Sequence, residues 1–392
     1  MGMTLPDATF RHGEGLEALI KALGAQDARY VGGIVRDSLL GIDAADVDIA
    51  TRHQPDEVLD RLRAAGIKTV PTGIAHGTIT AILPSGPVEV TTLRHDVSTD
   101  GRHAVVAFTD DWREDAARRD FTINALYADP LSGEVFDYFG GLDDLAARHV
   151  RFIGDPYRRI AEDHLRIMRF FRFHARFGDA IDSEGLEACA ARANDLMALS
   201  RERIAAELLK LLIAPAAVAV VTLMVDRGIF AAVLPEITDP APLAALAARE
   251  DAAGVAPAAI RRLAALLPPD AADTVGARLK LSKHDRRRLT HATHGPGGEG
   301  PRALAFREGT MIATDRLLLA GEAVGPILDW SPPRLPIGGG ALVTRGLSKG
   351  PVVAGALRMI ETRWIAEGFP DAARVDQLAD EVVAGLLSTN SE

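Results

Sequence analysis

The residues with the clearest chemical potential lie in one short stretch, Val31 to Thr51, VGGIVRDSLLGIDAADVDIAT. Gly32 and Gly33 make a turn without Cβ atoms after the apolar pair Tyr30-Val31, and Ile34 to Leu40 reads as one or two helical turns stopped by Gly41. Backbone N–H groups at such a turn favour an anion such as phosphate. Asp46 and Asp48 flank Val47 in a strand-like run, so their carboxylates share one face while Val47 and Ile49 point to the core. Side chains two apart on a strand are separated by roughly 6 to 7 Å, close enough for both to hold metal ions. Taken singly, a Gly-Gly turn or an Asp-x-Asp is usually only a turn or a solvated strand end. Together with Arg36 they form an ordered set of phosphate donors, a phosphate-pairing cation and metal ligands, the minimum for two-metal transfer on a nucleoside triphosphate.

Several elements must position this set. Glu14 to Leu23 carries apolar residues at helical spacing, and Pro55 to Ala65 reads as a second helix. Lys68 to Val70, Thr78 to Leu83 and Val88 to Leu93 read as strands, the last two joined at Ser85-Gly86-Pro87 as a hairpin. Glu89 stands between two valines on that hairpin, and spacing alone favours an edge-strand charge over a third metal-site carboxylate. Arg94 to Trp112 lacks clear periodicity and reads as a long loop. Asp115 to Arg119 reads as helical and runs into RRDFTINAL, where paired arginines precede an apolar strand.

A longer helix is predicted over Pro156 to Phe177, with Asp155 as N-cap and Gly178 as its stop. On it Asp163 and Arg166 are three residues apart and face the same way, continuing an aromatic stripe of Phe170, Phe173 and Phe177. An ordinary surface salt bridge is the bland alternative, worth under about 1 kcal/mol. An enclosed carboxylate and guanidinium have a further use. Cytosine offers an amine beside N3 and adenine an amine beside N1, so this pair suits both, whereas guanine and uracil present a carbonyl and an N–H there.

GGIVRDSLLG with DVDIAT, RRDFTINAL, and EDHLRIMRF (Glu162 to Phe170) resemble the family of CCA-adding enzymes and bacterial poly(A) polymerases, class II tRNA nucleotidyltransferases of the DNA-polymerase-β-like superfamily. The resemblance covers roughly the first 210 residues well and the rest loosely. It implies an α+β protein: a nucleotidyltransferase head with a mixed β-sheet over 1–140, then an all-α neck over 141–215, body over 216–300 and tail over 301–392. It implies that Asp46 and Asp48 bind Mg²⁺, with Glu89 as a third carboxylate, and that Gly32, Gly33, Arg36 and Arg119 hold the triphosphate. Asp120 and Asn124 would support the ribose end, and Asp163 and Arg166 would act as a protein template. Arg169 and Arg172 would contact the nucleotide or order that template. The implied substrates are CTP, ATP and the tRNA 3′ end, with the acceptor stem and elbow held by the tail. The implied mobile loop falls at Arg94 to Trp112, with Arg102 and Asp110 or Asp111 as its charged elements. In RERIAAELLK, Arg201 to Lys210, the arginines are either packing or RNA-facing.

Composition bounds these readings. The chain has 392 residues, 47% of them hydrophobic, enough for two to four domains with real cores. A single cysteine, Cys189, excludes an internal disulfide and suits a reducing cytoplasm. The N-terminus shows no secretory pattern, and the longest apolar run, Ala214 to Val225, is too short to span a bilayer. A soluble cytoplasmic protein with no obligatory protein partner is expected. The net charge of −10 argues against nonspecific wrapping of nucleic acid. Arg151 to Arg176 nevertheless holds seven arginines against three acids, a local basic site. Three alternatives stand beside CCA addition: a poly(A) or A-adding enzyme of the same family, a non-catalytic RNA-binding protein on the same fold, and a metal phosphohydrolase at His284-Asp285. The last lacks a supporting ligand set in the sequence, where LSKHDRRRL reads better as a basic amphipathic helix.

Overall fold

The computed structural model describes residues 3–43, 46–99 and 104–389. The chain divides into two units, Met1–Thr238 and Asp239–Glu392, and the fold is α+β.

The first unit is built on a seven-stranded mixed sheet. Its opening helix α1 (Leu16–Leu23) buries Leu16, Leu19, Ile20 and Leu23, the stripe that the spacing predicts. Strand β1 (Ala28–Val31) then delivers the chain to the Gly32 turn and helix α2 (Gly33–Leu39). Next come β2 (Val47–Thr51), α3 (Pro55–Ala64), β3 (Lys68–Gly73), β4 (Thr78–Leu83) and β5 (Gly86–Thr92). After β6 (Arg94–Thr99) and β7 (Ala104–Phe108), helix α4 (Trp112–Ala117) precedes β8 (Leu126–Ala128) and β9 (Val135–Asp137). The sheet order is β3-β4-β5-β2-β1-β8-β9, with only β2 and β5 parallel. Val88, Val90 and Ile49 are buried, which turns the alternate positions of β2 and β5 to the other face.

Two sequence expectations change here. Arg94 to Trp112 is not an irregular loop, because β6 and β7 pair as an antiparallel two-stranded sheet. Arg102 lies outside the described residues. Asp111 caps α4, accepting the Arg113 N–H at 2.7 Å. Glu89 is also not an edge charge, since β5 is flanked by β4 on one side and β2 on the other.

Helices follow the sheet: α5 (Gly141–Ala146), α6 (Pro156–Glu162), α7 (Arg166–Phe177), α8 (Ser183–Ala191) and α9 (Arg201–Leu212). Asp155 caps α6 by accepting the Tyr157 and Arg158 N–H groups, with Pro156 in the first turn. Helix α7 docks through aromatic rings. Phe170 stacks on Phe152 at 5.4 Å between centroids, and Phe121 of the RRDFTINAL segment meets Phe152 at 5.0 Å and Phe173 at 5.3 Å. Each such ring contributes roughly 1.5–3 kcal/mol through burial, which fixes α7 against the sheet domain.

The second unit is all helical among the described residues. One apolar cluster surrounds Trp364 and Ile360. Buried Glu250 and Asp315 accept from Arg261, Arg262 and Arg288, tying four helices together. In the basic helix Lys283–Ala292 Asp285 accepts from the Ser282 hydroxyl in the cap, and His284 and Asp285 are both solvent-accessible. No helix among the described residues is long and apolar enough to cross a membrane.

Candidate active site

A cleft of about 770 Å³ opens in the first unit, lined by the residues named from the sequence for metal and nucleotide: Gly32, Gly33, Arg36, Asp46, Asp48, Glu89, Arg119, Asp120, Asn124, Asp163, Arg166, Arg169 and Arg172. They come from five stretches of the chain, brought together by the strand order and the aromatic docking of α7.

The carboxylates form one wall. Asp48 and Glu89 are directly paired in the parallel register of β2 and β5. Asp46 stands just before β2. Burial, then the nearby Glu89 charge, pushes the Asp48 carboxyl up to about 6, with Arg119 opposing and Asp46 adding to the rise. An acidic group destabilised in its charged form by its own neighbours fits a cation. Among the described residues no group of three or more His, Cys, Asp and Glu side chains is placed to hold a metal ion by itself. A donor set of a few carboxylates suits an octahedral divalent cation that takes its other ligands from water and substrate phosphates.

The turn beside this wall is conformationally demanding. Gly32 has φ 72° and ψ −121°, and an added Cβ would lie 3.4 Å from Arg119 Nη1. Gly33 already lies in α2 with no positive φ. Only Gly32 therefore needs glycine for its backbone.

The cations are held from behind. Asp115 on α4 is 1% exposed and accepts from Arg118 Nε at 2.8 Å, Arg119 Nη2 at 3.0 Å and the Tyr127 hydroxyl at 2.6 Å. Burial works to raise its carboxyl, but Arg119, Arg118 and Tyr127 outweigh it and hold Asp115 well below the usual carboxylate range. A chain of partners then crosses the cleft floor. Buried Arg36 donates to Asp37 at 2.7 Å and to Asn124 Oδ1. Asn124 Nδ2 donates to Asp120 Oδ1 at 3.0 Å, and Arg169 Nε donates to Asp120 Oδ2 at 2.7 Å. Burial opposes ionisation of Asp120, yet Arg169, Asn124 and Arg166 bring it down to about 2. Glu207 on α9 receives Arg172 and stands 3.9 Å from Arg169. Of the seven arginines between 151 and 176, only Arg166, Arg169 and Arg172 line the cleft.

Asp163 and Arg166 depart from expectation. The single helix over Pro156 to Phe177 is two helices, and Asp163 sits between them in extended backbone, φ −149° and ψ 107°. The two residues, three apart in the chain, consequently do not share one helical face, and their side chains do not bond each other. Arg203 Nη2 on α9 donates to Asp163 Oδ2 at 2.9 Å and Oδ1 at 3.1 Å. Arg166 Nη1 donates to Glu162 Oε2 at 2.6 Å and the Arg159 carbonyl at 2.8 Å, while its Nη2 reaches the Arg118 carbonyl at 2.8 Å.

The sequence did not single out Arg118, Phe173 and Lys210 as lining residues, nor Asp115 and Glu207 as the groups behind them, and Arg203, left open between packing and RNA-facing, holds Asp163. One signal was present: Ile204, Glu207, Leu208 and Leu211 share a helical stripe, which places an acid among core positions.

A mixed sheet presenting paired carboxylates beside a glycine turn, with a helical neck supplying cations, defines a polymerase-like nucleotidyltransferase. The Poly A polymerase head domain family matches residues 28–151, and the family described as probable RNA and SrmB- binding site of polymerase A matches 180–239. The mitochondrial CCA tRNA nucleotidyltransferase 1 of Mus musculus is 36% identical over 383 residues, spanning 91% of this chain and 87% of its own. The CCA-adding enzyme of Anoxybacillus flavithermus is 40% identical over 213 residues, 54% of this chain and 52% of that protein. The crystal structure of the Bacillus stearothermophilus CCA-adding enzyme in complex with CTP superposes with a TM-score of 0.67 at 27% identity, covering 91% of this chain and 93% of that one. The chain belongs to the CCA tRNA nucleotidyltransferase family.

Proposed function

We propose that this enzyme adds C, C and A to tRNA 3′ ends from CTP and ATP, selecting each base without a nucleic-acid template. The observation that carries the reading is the single cleft that joins the β2 and β5 carboxylates to the anchored arginines and to Asp163 and Arg166. Asp46 and Asp48 would hold Mg²⁺ with Glu89 beside them. The chemistry Mg²⁺ supplies there is activation of the terminal 3′-hydroxyl and neutralisation of charge on the α-phosphate and departing pyrophosphate. Gly32, Gly33, Arg36 and Arg119 orient the triphosphate, Arg119 being fixed by Asp115 and Tyr127. Asp120 and Asn124 set the ribose end, and Arg169 and Arg172 flank the base-reading groups.

Hydrogen-bond capacity supports the base assignment. A guanidinium has five N–H donors, and among the described residues Arg166 leaves its Nε–H and one Nη2–H without a protein partner. Asp163 Oδ2 accepts only from Arg203 and keeps lone-pair capacity. Asp163 can accept the amine of cytosine or adenine while Arg166 donates to the ring nitrogen. Guanine and uracil reverse both groups, at roughly 1–3 kcal/mol for each lost pairing. The second unit binds the body of the tRNA, and the lone buried Cys189 fits a reducing compartment, the cytoplasm in this reading.

A tRNA transcript ending before CCA, incubated with Mg²⁺ and each nucleoside triphosphate singly and together, tests the proposal by sequencing of the 3′ ends. Ordered C, C, A supports it. Tracts of A identify a poly(A) polymerase, and no extension overturns both.

A further inference from the structure

The geometry points to Arg203 as a positioning residue for base choice: it holds the Asp163 carboxylate in the orientation that meets a base edge. This inference rests on the assignment of Asp163 as a base-reading group. Asp163 has extended backbone between α6 and α7, so neither helix by itself fixes its side chain. Its local anchor is the Leu165 N–H, donated to Oδ1 at 3.1 Å. The other anchor is Arg203 Nη2, 40 residues away on α9, which bridges both carboxylate oxygens. Both side chains keep about a third of their surface exposed, 31% for Asp163 and 34% for Arg203. Asp163 lines the cleft with Arg203 behind it, and the pair is not a buried structural bridge.

Arg166 is treated in the same way by a different partner, since Glu162 and two backbone carbonyls hold it. Each base-reading group thus has its own countercharge. Were Asp163 and Arg166 paired with each other, a base would have to break that pair to be read. Arg203 and Glu162 satisfy the charges from the side and leave the base-facing hydrogen-bond sites open. Removing Arg203 frees the carboxylate to rotate or to swing toward Arg166, and either movement costs more for the correct base than for the wrong one.

The test is the ratio of kcat/KM for CTP to that for UTP, measured on the full chain with a tRNA ending before CCA. A ratio taken on one preparation is insensitive to the fraction of active protein. Arg203→Gln is expected to lower the ratio by roughly tenfold or more, the scale of one lost base-edge pairing. Arg203→Lys, which keeps the charge but loses the planar fork, should fall between Gln and the parent. In an Asp163→Asn background, Arg203→Gln should add little further loss, because both changes remove one interaction. An unchanged ratio in Arg203→Gln, with kcat/KM for both nucleotides reduced equally, overturns the proposal and leaves Arg203 a structural prop. If Asp163→Asn also keeps the parent ratio, the base-reading assignment itself fails. If Asp163→Asn loses discrimination while Arg203→Gln keeps it, only the role of Arg203 fails.

Discussion

Asp48 and Glu89 stand in register on the two adjacent parallel strands of an otherwise antiparallel sheet. The fold forces two carboxylates together on neighbouring strands, and Asp46 brings a third acid to the same cleft. Asp48→Asn should therefore abolish incorporation of CTP and ATP alike, by at least about a thousandfold, the scale on which removal of essential catalytic groups is felt. Binding of the tRNA, followed by filter retention, should change little.

The same clustering predicts a pH dependence. The folded-state value of about 6 for Asp48 lies above its ordinary value of 3.8, so its charged form opposes folding. Stability linked to this group is present below the ordinary value and is lost as pH rises through 6. In EDTA, Asp48→Asn should raise Tm at pH 8, and the gain should vanish near pH 4. The Mg²⁺ concentration needed for extension should also rise as pH falls through 6, approaching about tenfold per pH unit for one displaced proton. Extension rates against Mg²⁺ at several pH values check this second effect.

Asp115 is a test of the cation wall. Its loss leaves Arg118 and Arg119 facing each other without their shared carboxylate. Breaking a buried pair costs roughly 3–5 kcal/mol, and the partial exposure of the two arginines places Asp115→Asn at the low end. Urea denaturation should register that loss, and the KM for both nucleotides should rise.

The two glycines of the turn should behave differently. Gly32→Ala forces a side chain into a strained conformation and toward Arg119, at roughly 1–3 kcal/mol. Gly33→Ala meets only Arg36 Nη2 at an ordinary 3.6 Å and lies inside α2. Thermal denaturation should separate them, with Gly33→Ala retaining the parent Tm.

Much of the site was legible because its signals are local. The Gly-Gly turn and the Asp-x-Asp alternation each depend on residues within a few positions of one another, whereas the place of Glu89 beside Asp48 depends on the non-local pairing of β5 with β2. The break at Asp163 was not legible. Nothing between Pro156 and Phe177 is Gly or Pro, and the apolar spacing runs through without interruption. At the break Asp163 bonds Arg203, 40 residues away, and Arg166 bonds the Arg118 carbonyl, 48 residues away. Tertiary contact overrides helical propensity there. The pairing of β6 with β7 was hidden differently: the runs HDVST and AVVAF alternate too weakly to read as strands. Asp115 and Glu207 escaped because a buried acid announces itself only through partners that the fold brings in.

We propose that chemistry and base choice occupy different walls of one cleft, the β2 and β5 carboxylates and the Asp163–Arg166 segment. The most direct test is the pair of kcat/KM values for CTP and UTP in Asp163→Asn, set beside those of the parent enzyme. In that variant CTP use should fall, UTP use should fall less or rise, and the ratio between them should collapse by roughly tenfold or more. A ratio equal to that of the parent enzyme would contradict the proposal.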